Sequence, residues 1–241
     1  TKIMKDENIR KSWEEFVNDD KYLEYFKKRS KKSVIVKPKT ESNTKSNIKM
    51  QISEYQEIGR KMSLQNSANT NKMFQDNNKL WHLYHDYRDY SFEGYDNQDE
   101  IPVNRIISYL ESKLKYKLDI LDLGCGRNQI TEHFKINSKF SITGYDHISY
   151  NESIECDVSN LPNEDYSVDM CIFSQSLMGS NWKDYLQEAK RVLKYNGEMI
   201  ISESIDRYVV IKEYIEELGL YIKLDEYDET KRWFYIHTLN S

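Results

Sequence analysis

The spacing of hydrophobic and polar positions after residue 100 predicts strands that alternate with helices. Short apolar runs bounded by turn residues indicate buried strands, and the stretches between them repeat apolar residues every three or four positions, as one face of a helix does. This alternation is typical of a parallel sheet covered by helices on both faces. The clearest strand runs are LDILDL at 118–123, FSITGYD at 140–146, VDMCIFS at 168–174 and GEMIISES at 197–204.

The end of the chain departs from this alternation. The runs YIKLDEY at 221–227 and RWFYIHTL at 232–239 are separated only by the polar residues 228–231. A joint this short cannot form the crossover that parallel strands need. The last two strands are therefore predicted to form an antiparallel hairpin, which places one reversed strand in the sheet.

The first third of the chain has a different pattern. Residues 8–26 and 48–65 space their apolar residues as amphipathic helices do, whereas residues 66–79 are mostly polar. These shifts predict a helical, basic arm over residues 1–80 and a separate α/β domain over residues 81–241.

Charge divides the chain in the same way. Residues 27–80 carry 13 Lys/Arg and 4 Asp/Glu, net +9, whereas residues 81–241 carry 17 and 29, net -12. With -2 from residues 1–26, the total is -5. A basic arm before an acidic domain indicates a polyanionic partner such as RNA for residues 27–80. The alternative, a solvated linker, stays open.

Composition excludes several classes of protein. The mean hydropathy is -0.83, and no stretch approaches the roughly 18 apolar residues of a membrane helix. Cys125, Cys156 and Cys171 are isolated, without the spacing of a zinc site. We therefore expect an intracellular, reducing compartment, no membrane association and no metal.

The segment LDLGCGRNQI, residues 121–130, indicates a ligand site. Gly124 and Gly126 follow the first strand, and glycines at such a turn let a ligand approach the backbone. Asp146 ends the next strand 20 residues after Gly126, a spacing that suits an acid bound to ribose hydroxyls. Asp122 would repel a phosphate but attract an ammonium group, and Asp157 can accept from an adenine amine. S-adenosylmethionine (SAM) has these groups and no phosphate, so SAM is the predicted cofactor.

Three stretches resemble the nucleomethylin family, also called ribosomal RNA-processing protein 8. They are WHLYH at 81–85, FYIHT at 234–238 and SLMGSNWKDYLQEAKRVLKYNGEMIISES at 176–204. The resemblance covers about residues 80–240. It implies SAM-dependent methylation of adenine N1 in large-subunit ribosomal RNA. The family has Gly-Phe after its LYH element, where this chain has Asp86-Tyr87.

The resemblance also implies roles for individual residues. His85 matches a histidine that contacts SAM, and Gly124, Asp146 and Asp157 match the glycine turn, the ribose acid and the adenine-side acid. Val158 takes the position that packs on the adenine ring, and Ser174 ends the fourth strand.

A second resemblance concerns methyltransferase domains attached behind helicase modules in large DNA viruses and their relatives. It rests on WEEFVNDDKYLEYF at 13–26 and DEIPVNRII at 99–107. It implies that the chain is the C-terminal part of a viral-type helicase fusion.

Absent motifs narrow the predicted chemistry. Methylation at cytosine C5 needs a nucleophilic cysteine, and no cysteine is placed for that role. Methylation of an exocyclic amine commonly uses Asn/Asp-Pro-Pro-aromatic after strand four, where this chain has Ser174-Gln175-Ser176-Leu177. The N1 of neutral adenine carries a lone pair and needs positioning rather than a base. The candidates for orienting it are Gln175, Ser176, Asn181 and His82.

Together these observations predict a doubly wound, Rossmann-like class I methyltransferase with seven strands in the order 3-2-1-4-5-7-6. The predicted function is SAM-dependent methylation of a nucleic-acid base, with adenine N1 in structured RNA favoured. A small-molecule or protein methyltransferase and a non-catalytic SAM-binding module that recruits partners are the alternatives. The expected location is nuclear or nucleolar in a eukaryote and the host cytoplasm for a virus.

Overall fold

A computed structural model describes residues 54–93, 95–136 and 139–241 of the chain. The predicted helix at 8–26 and the basic stretch at 27–53 lie outside these residues. Within them, the chain forms a seven-stranded sheet covered by helices.

The sheet has the predicted strand order, β3-β2-β1-β4-β5-β7-β6. The pairs among β1 to β5 are parallel, whereas β7 is antiparallel to both β5 and β6. The predicted reversed strand and terminal hairpin are therefore confirmed. The strands are β1 (Leu118–Leu123), β2 (Phe140–Asp146), β3 (Ile154–Glu155), β4 (Val168–Ser174), β5 (Leu193–Ser204), β6 (Tyr221–Glu226) and β7 (Trp233–Leu239).

Helices cover both faces of this sheet. The first, α1, includes residues 54–64, and short 3-10 turns occupy Gln98–Glu100 and Ile205–Arg207. The others are α2 (Ser67–Asp76), α3 (Asn78–Glu93), α4 (Pro102–Glu111), α5 (Gln129–Phe134), α6 (Trp182–Val192) and α7 (Tyr208–Glu217).

Alternating side chains of the strands build two cores. In β4, Cys171 and Phe173 point to the face covered by α6 and α7, whereas Met170 and Ile172 point to the face covered by α4 and α5. Each of the four side chains is at most 1% exposed. The strand is buried on both sides, which explains why its sequence is a nearly continuous apolar run.

The N-terminal helices form a third apolar cluster. It contains Ile58 of α1, Phe74 of α2, and Trp81 and Tyr84 of α3. Residues 66–79 read as a polar stretch, but the structure places α2 there. The Asn66 side chain accepts a hydrogen bond from the Asn69 backbone at the start of α2, and the buried Phe74 anchors the helix.

These contacts cross the predicted domain boundary at residue 80. Ser67, on the arm side of that boundary, donates a hydrogen bond to Asp157 over 2.9 Å, and Ile58 packs with Trp81 and Tyr84. The division at residue 80 stays a prediction. Among the described residues, none of the helices combines the length and the apolar character that crossing a membrane requires.

Candidate cofactor and acceptor site

The turn after β1 has the backbone geometry that its glycines predict. Gly124 and Gly126 have φ angles of 75° and 54°, a region that disfavours residues with a Cβ atom. A Cβ on Gly124 would lie 2.4 Å from the Cβ of Ser176, and a Cβ on Gly126 would lie 2.8 Å from the His85 ring. The turn is therefore packed tightly against the segment after β4 and against α3.

Asp146 ends β2 beside this turn, as the spacing predicts, and its carboxylate accepts three hydrogen bonds. The backbone N–H of Gly126 donates to Oδ2 over 2.8 Å, and the backbone N–H of His147 donates to Oδ1 over 2.8 Å. The indole Nε1–H of Trp81 also donates to Oδ1, over 2.7 Å. Both acceptor positions of Oδ1 are therefore occupied by protein groups.

Asp122 lies in β1, just before the turn, and its carboxylate has a different environment. Its side chain is 2% exposed, and Oδ1 has no hydrogen-bond partner among the described residues. Burial raises the pKa of Asp122 to about 7, nearby Asp146 also raises it, and Arg88 partly opposes the shift. A buried carboxylate without a partner is costly, so this site favours a bound cation.

Asp157 is less accessible than its predicted role requires. Its Oδ1 accepts hydrogen bonds from the backbone and the hydroxyl of Ser159, and its Oδ2 accepts one from Ser67. Asn181 holds Ser67 from the other side, through its Oδ1 and Nδ2 atoms. Asp157 therefore ties α2 to the sheet, and one acceptor position of Oδ2 remains for a ligand.

Two adjoining cavities lie over the carboxyl ends of β1, β2 and β4. The larger encloses about 50 Å³ and the smaller about 20 Å³. Of the predicted site residues, the larger cavity is lined by His85, Gly124, Asp146, Val158, Gln175 and Ser176, and the smaller by His85, Asp122, Gly124, Gly126 and Ser174.

His85 lies between the two cavities and belongs to α3. Its ring is 6% exposed and packs on Trp81, with 4.2 Å between the ring centroids. Burial lowers the pKa of His85 to about 3, against the opposing effect of Asp146. The imidazole is therefore neutral at physiological pH.

His82 is placed apart from the other candidates. Its ring packs against Trp81 and Tyr150, and it lines neither of the two cavities. The structure brings Gln175 and Ser176 to the larger cavity but not His82. Its predicted role in orienting a base has no geometric support.

Comparisons with known proteins agree with this geometry. A family model described as a hypothetical methyltransferase matches residues 41–240. The chain belongs to this methyltransferase family. The match begins before residue 80, in line with the contacts of α1 and α2.

Relatives of this methyltransferase include proteins with a named ribosomal role. It is 34% identical over 145 residues to a 25S rRNA (adenine(645)-N(1))-methyltransferase of Schizosaccharomyces pombe, covering 57% of this chain and 45% of that protein. It is 41% identical over 118 residues to Ribosomal RNA-processing protein 8 of Caenorhabditis elegans, covering 48% and 34%. The chain spans less than half the length of these relatives. The resemblance to the processing-protein family is confirmed.

Solved structures show the same fold. A Burkholderia thailandensis 1,6-didemethyltoxoflavin-N1-methyltransferase aligns with a TM-score of 0.54 and 16% identity, covering 67% of this chain and 85% of that chain. A SAM-dependent methyltransferase of Aquifex aeolicus aligns with a TM-score of 0.50 and 16% identity, covering 61% and 95%. Family and fold together confirm the predicted enzyme class, a SAM-dependent methyltransferase.

The side chains of the methyltransferase site fit this cofactor chemically. The unpartnered Oδ1 of Asp122 suits an ammonium group, and the close packing at Gly124 and Gly126 leaves no room for larger residues. Asp146 suits one hydroxyl donor at the free position of Oδ2, and a second hydroxyl donor once Trp81 moves. Sequence reasoning missed Ser67, Phe74 and the Trp81–Asp146 bond, because no local pattern shows that these residues meet Asp157 and Asp146. The predicted attachment to a helicase module stays a prediction.

Proposed function

We propose that this methyltransferase transfers a methyl group from SAM to adenine N1 in structured, ribosomal-type RNA. The observation that supports this most is the pair of acids at the glycine turn. Asp122 is buried with an unpartnered oxygen, and Asp146 lies at the end of the neighbouring strand. The names of the relatives from Schizosaccharomyces pombe and Caenorhabditis elegans support the nucleotide and the RNA.

The residues of the turn and of the neighbouring strands bind and orient the cofactor. Asp122 would accept from its ammonium group, Asp146 from its ribose hydroxyls, and Val158 would pack on its adenine ring. When bound, SAM would supply an activated methyl group on a sulfonium for transfer to a lone pair of the acceptor. His85 excludes water from this contact as a neutral ring.

The chemistry of the larger cavity suits an acceptor that brings its own lone pair. Burial lowers the pKa of His85 to about 3, so its imidazole is a weak base. Burial also raises the pKa of Tyr84 well above its usual range, so this phenol stays protonated. Adenine N1 needs no deprotonation before it attacks, whereas an exocyclic amine or a lysine acceptor must lose a proton during transfer.

Residues 27–53 supply the positive charge that RNA binding requires. They contain 9 Lys/Arg and 1 Asp/Glu, net +8, whereas residues 81–241 are net -12. Phosphate contacts therefore come from residues 27–53, and the α/β domain provides the cofactor and acceptor sites. In a eukaryotic cell this function places the protein in the nucleus or nucleolus.

Methyl transfer to RNA by the full chain tests this function directly. Incubation with labelled SAM and an unmodified large-subunit ribosomal RNA transcript, followed by nucleoside analysis, is expected to yield 1-methyladenosine. Asp146→Ala serves as the control, because it removes the carboxylate that would accept from the ribose hydroxyls. Label in N6-methyladenosine, in protein or in a small molecule, with none in 1-methyladenosine, would overturn the proposal. Tight SAM binding without transfer to any acceptor would favour the recruiting module.

A further inference from the structure

Gln175 has a backbone conformation that is unusual for its residue type. It follows Ser174 at the end of β4 and has a φ angle of 55°, in the left-handed region that side chains disfavour. Non-glycine residues persist in this region where their surroundings hold them, often at functional sites. The position of Gln175 therefore reflects constraints from its neighbours.

Hydrogen bonds on both sides of Gln175 provide these constraints. Its own backbone N–H donates to the carbonyl of Ser202 over 2.8 Å. Before it, the Ser174 carbonyl accepts from the Arg88 guanidinium over 2.8 Å. After it, the Ser176 hydroxyl donates to the backbone carbonyl of Leu123 over 2.5 Å. The segment is thus tied to β1, β5 and α3, and the backbone of Gln175 is held beside the larger cavity.

The amide oxygen of Gln175 has no partner of its own. Oε1 is buried and makes no hydrogen bond to any described residue. Gln175 lines the cavity together with Ser176, Arg88 and Tyr84. A buried amide oxygen without a donor is unfavourable, so Oε1 gains a hydrogen bond when the Gln175 side chain turns toward the cavity and meets a ligand N–H group.

We infer that Oε1 of Gln175 accepts a hydrogen bond from the exocyclic N6 amino group of the acceptor adenine. This inference rests on the proposed function and names the residue that selects the base. Adenine presents an amino donor at position 6, whereas guanine presents a carbonyl acceptor there. Guanine would therefore place its oxygen against Oε1, two acceptors without a proton between them.

The same hydrogen bond strengthens as the reaction proceeds. Methylation at N1 leaves a positive charge on the adenine ring, which N1 shares with N6. The N6–H group becomes a stronger donor as this charge develops, so Oε1 binds the transition state better than the substrate. A neutral amide takes no proton, so Gln175 positions the base and stabilises charge without acting as a general base.

A comparison of two RNA substrates tests the role of Gln175. Gln175→Leu removes the acceptor with little change in size, and Gln175→Glu keeps it. Gln187→Leu is the matched control, because Gln187 donates to Tyr214 between α6 and α7. Each full-length variant is assayed with unmodified large-subunit ribosomal RNA and with the same transcript made with purine riboside in place of adenosine. Purine riboside keeps N1 and lacks the N6 amino group.

Gln175→Leu is expected to lower kcat/KM on the adenosine RNA about 10- to 100-fold, the effect of losing a hydrogen bond to a charged partner. On the purine riboside RNA, Gln175→Leu and the wild type are expected to have equal kcat/KM values. Gln175→Glu is expected to retain most of the preference for adenosine. Calorimetry is expected to show unchanged SAM affinity in all three variants.

Two results would overturn the inference. An equal loss on both RNAs would show that Gln175 is structural, and no loss on the adenosine RNA would show that it does not contact N6. A wild-type protein that methylates neither RNA would instead refute the proposed function, and the inference with it. Activity of the wild type thus separates the two failures.

Discussion

Removing the hydrogen bond between Trp81 and Asp146 is expected to lower the stability of the protein and to raise its affinity for SAM. The indole Nε1 lies 2.7 Å from Oδ1 in a fully buried position. A hydrogen bond to a charged group contributes about 1.5–3 kcal/mol. Trp81→Phe removes this donor and keeps an aromatic ring against His85. The variant is therefore expected to unfold at a lower temperature than the wild type.

SAM affinity is expected to change in the other direction. Trp81, the His147 amide and the Gly126 amide use three of the four acceptor positions of the Asp146 carboxylate, so one ribose hydroxyl can bind at Oδ2. A ribose that donates both of its hydroxyls must displace the indole as well. In Trp81→Phe the cofactor no longer has to break that bond. The same 1.5–3 kcal/mol then appears as binding free energy, which is about a tenfold to a hundredfold lower Kd.

Titration calorimetry with SAM, combined with thermal unfolding, measures both effects. Trp182→Phe is the matched control, because Trp182 packs on Tyr214 and lines neither cavity. It is expected to lower stability without changing SAM affinity. Weaker SAM binding in Trp81→Phe alone would refute the reasoning, since it would show that Trp81 supports the bound cofactor rather than competing with it.

Three further predictions concern charge and backbone. Burial raises the pKa of Asp122 from 3.8 to about 7, so the folded state holds a proton that the unfolded state loses, and stability falls as pH rises from about 4 to 7. Asp122→Asn should remove this dependence in thermal unfolding, and wild-type SAM affinity should rise up to about pH 7. Gly124→Ala should abolish SAM binding in calorimetry, because its Cβ would lie 2.4 Å from Ser176. Deleting residues 1–53 should weaken RNA binding in a filter assay, while SAM affinity stays unchanged. The slope of log affinity against log salt concentration should become less steep by about 0.7 per lost phosphate contact. An unchanged slope would show that residues 1–53 are only a linker.

The strands and the glycine turn were predictable because their signals are local. The apolar runs, the turn residues and the 20-residue spacing from Gly126 to Asp146 all lie within short windows of sequence. The antiparallel end followed from the length of residues 228–231 alone. These features therefore needed no knowledge of distant contacts.

Helix α2 and the hydrogen bonds that Asp146 and Asp157 accept could not be predicted in this way. The stretch 66–79 has few apolar residues, and α2 forms there because Phe74 is buried in the cluster of the N-terminal helices. Trp81 and Asp146 are 65 positions apart, and Ser67 and Asp157 are 90 apart. Such contacts depend on how α2 and α3 pack over the sheet, which no periodicity encodes.

Helix α3 connects the cofactor site with the acceptor site through one rigid element. Trp81 bonds to Asp146 on β2, and Arg88, seven residues later and about 10 Å along the helix, bonds to the carbonyl of Ser174 beside Gln175. Displacing the indole therefore shifts the same helix that secures the acceptor loop. Each ligand then changes the affinity of the other by the same factor.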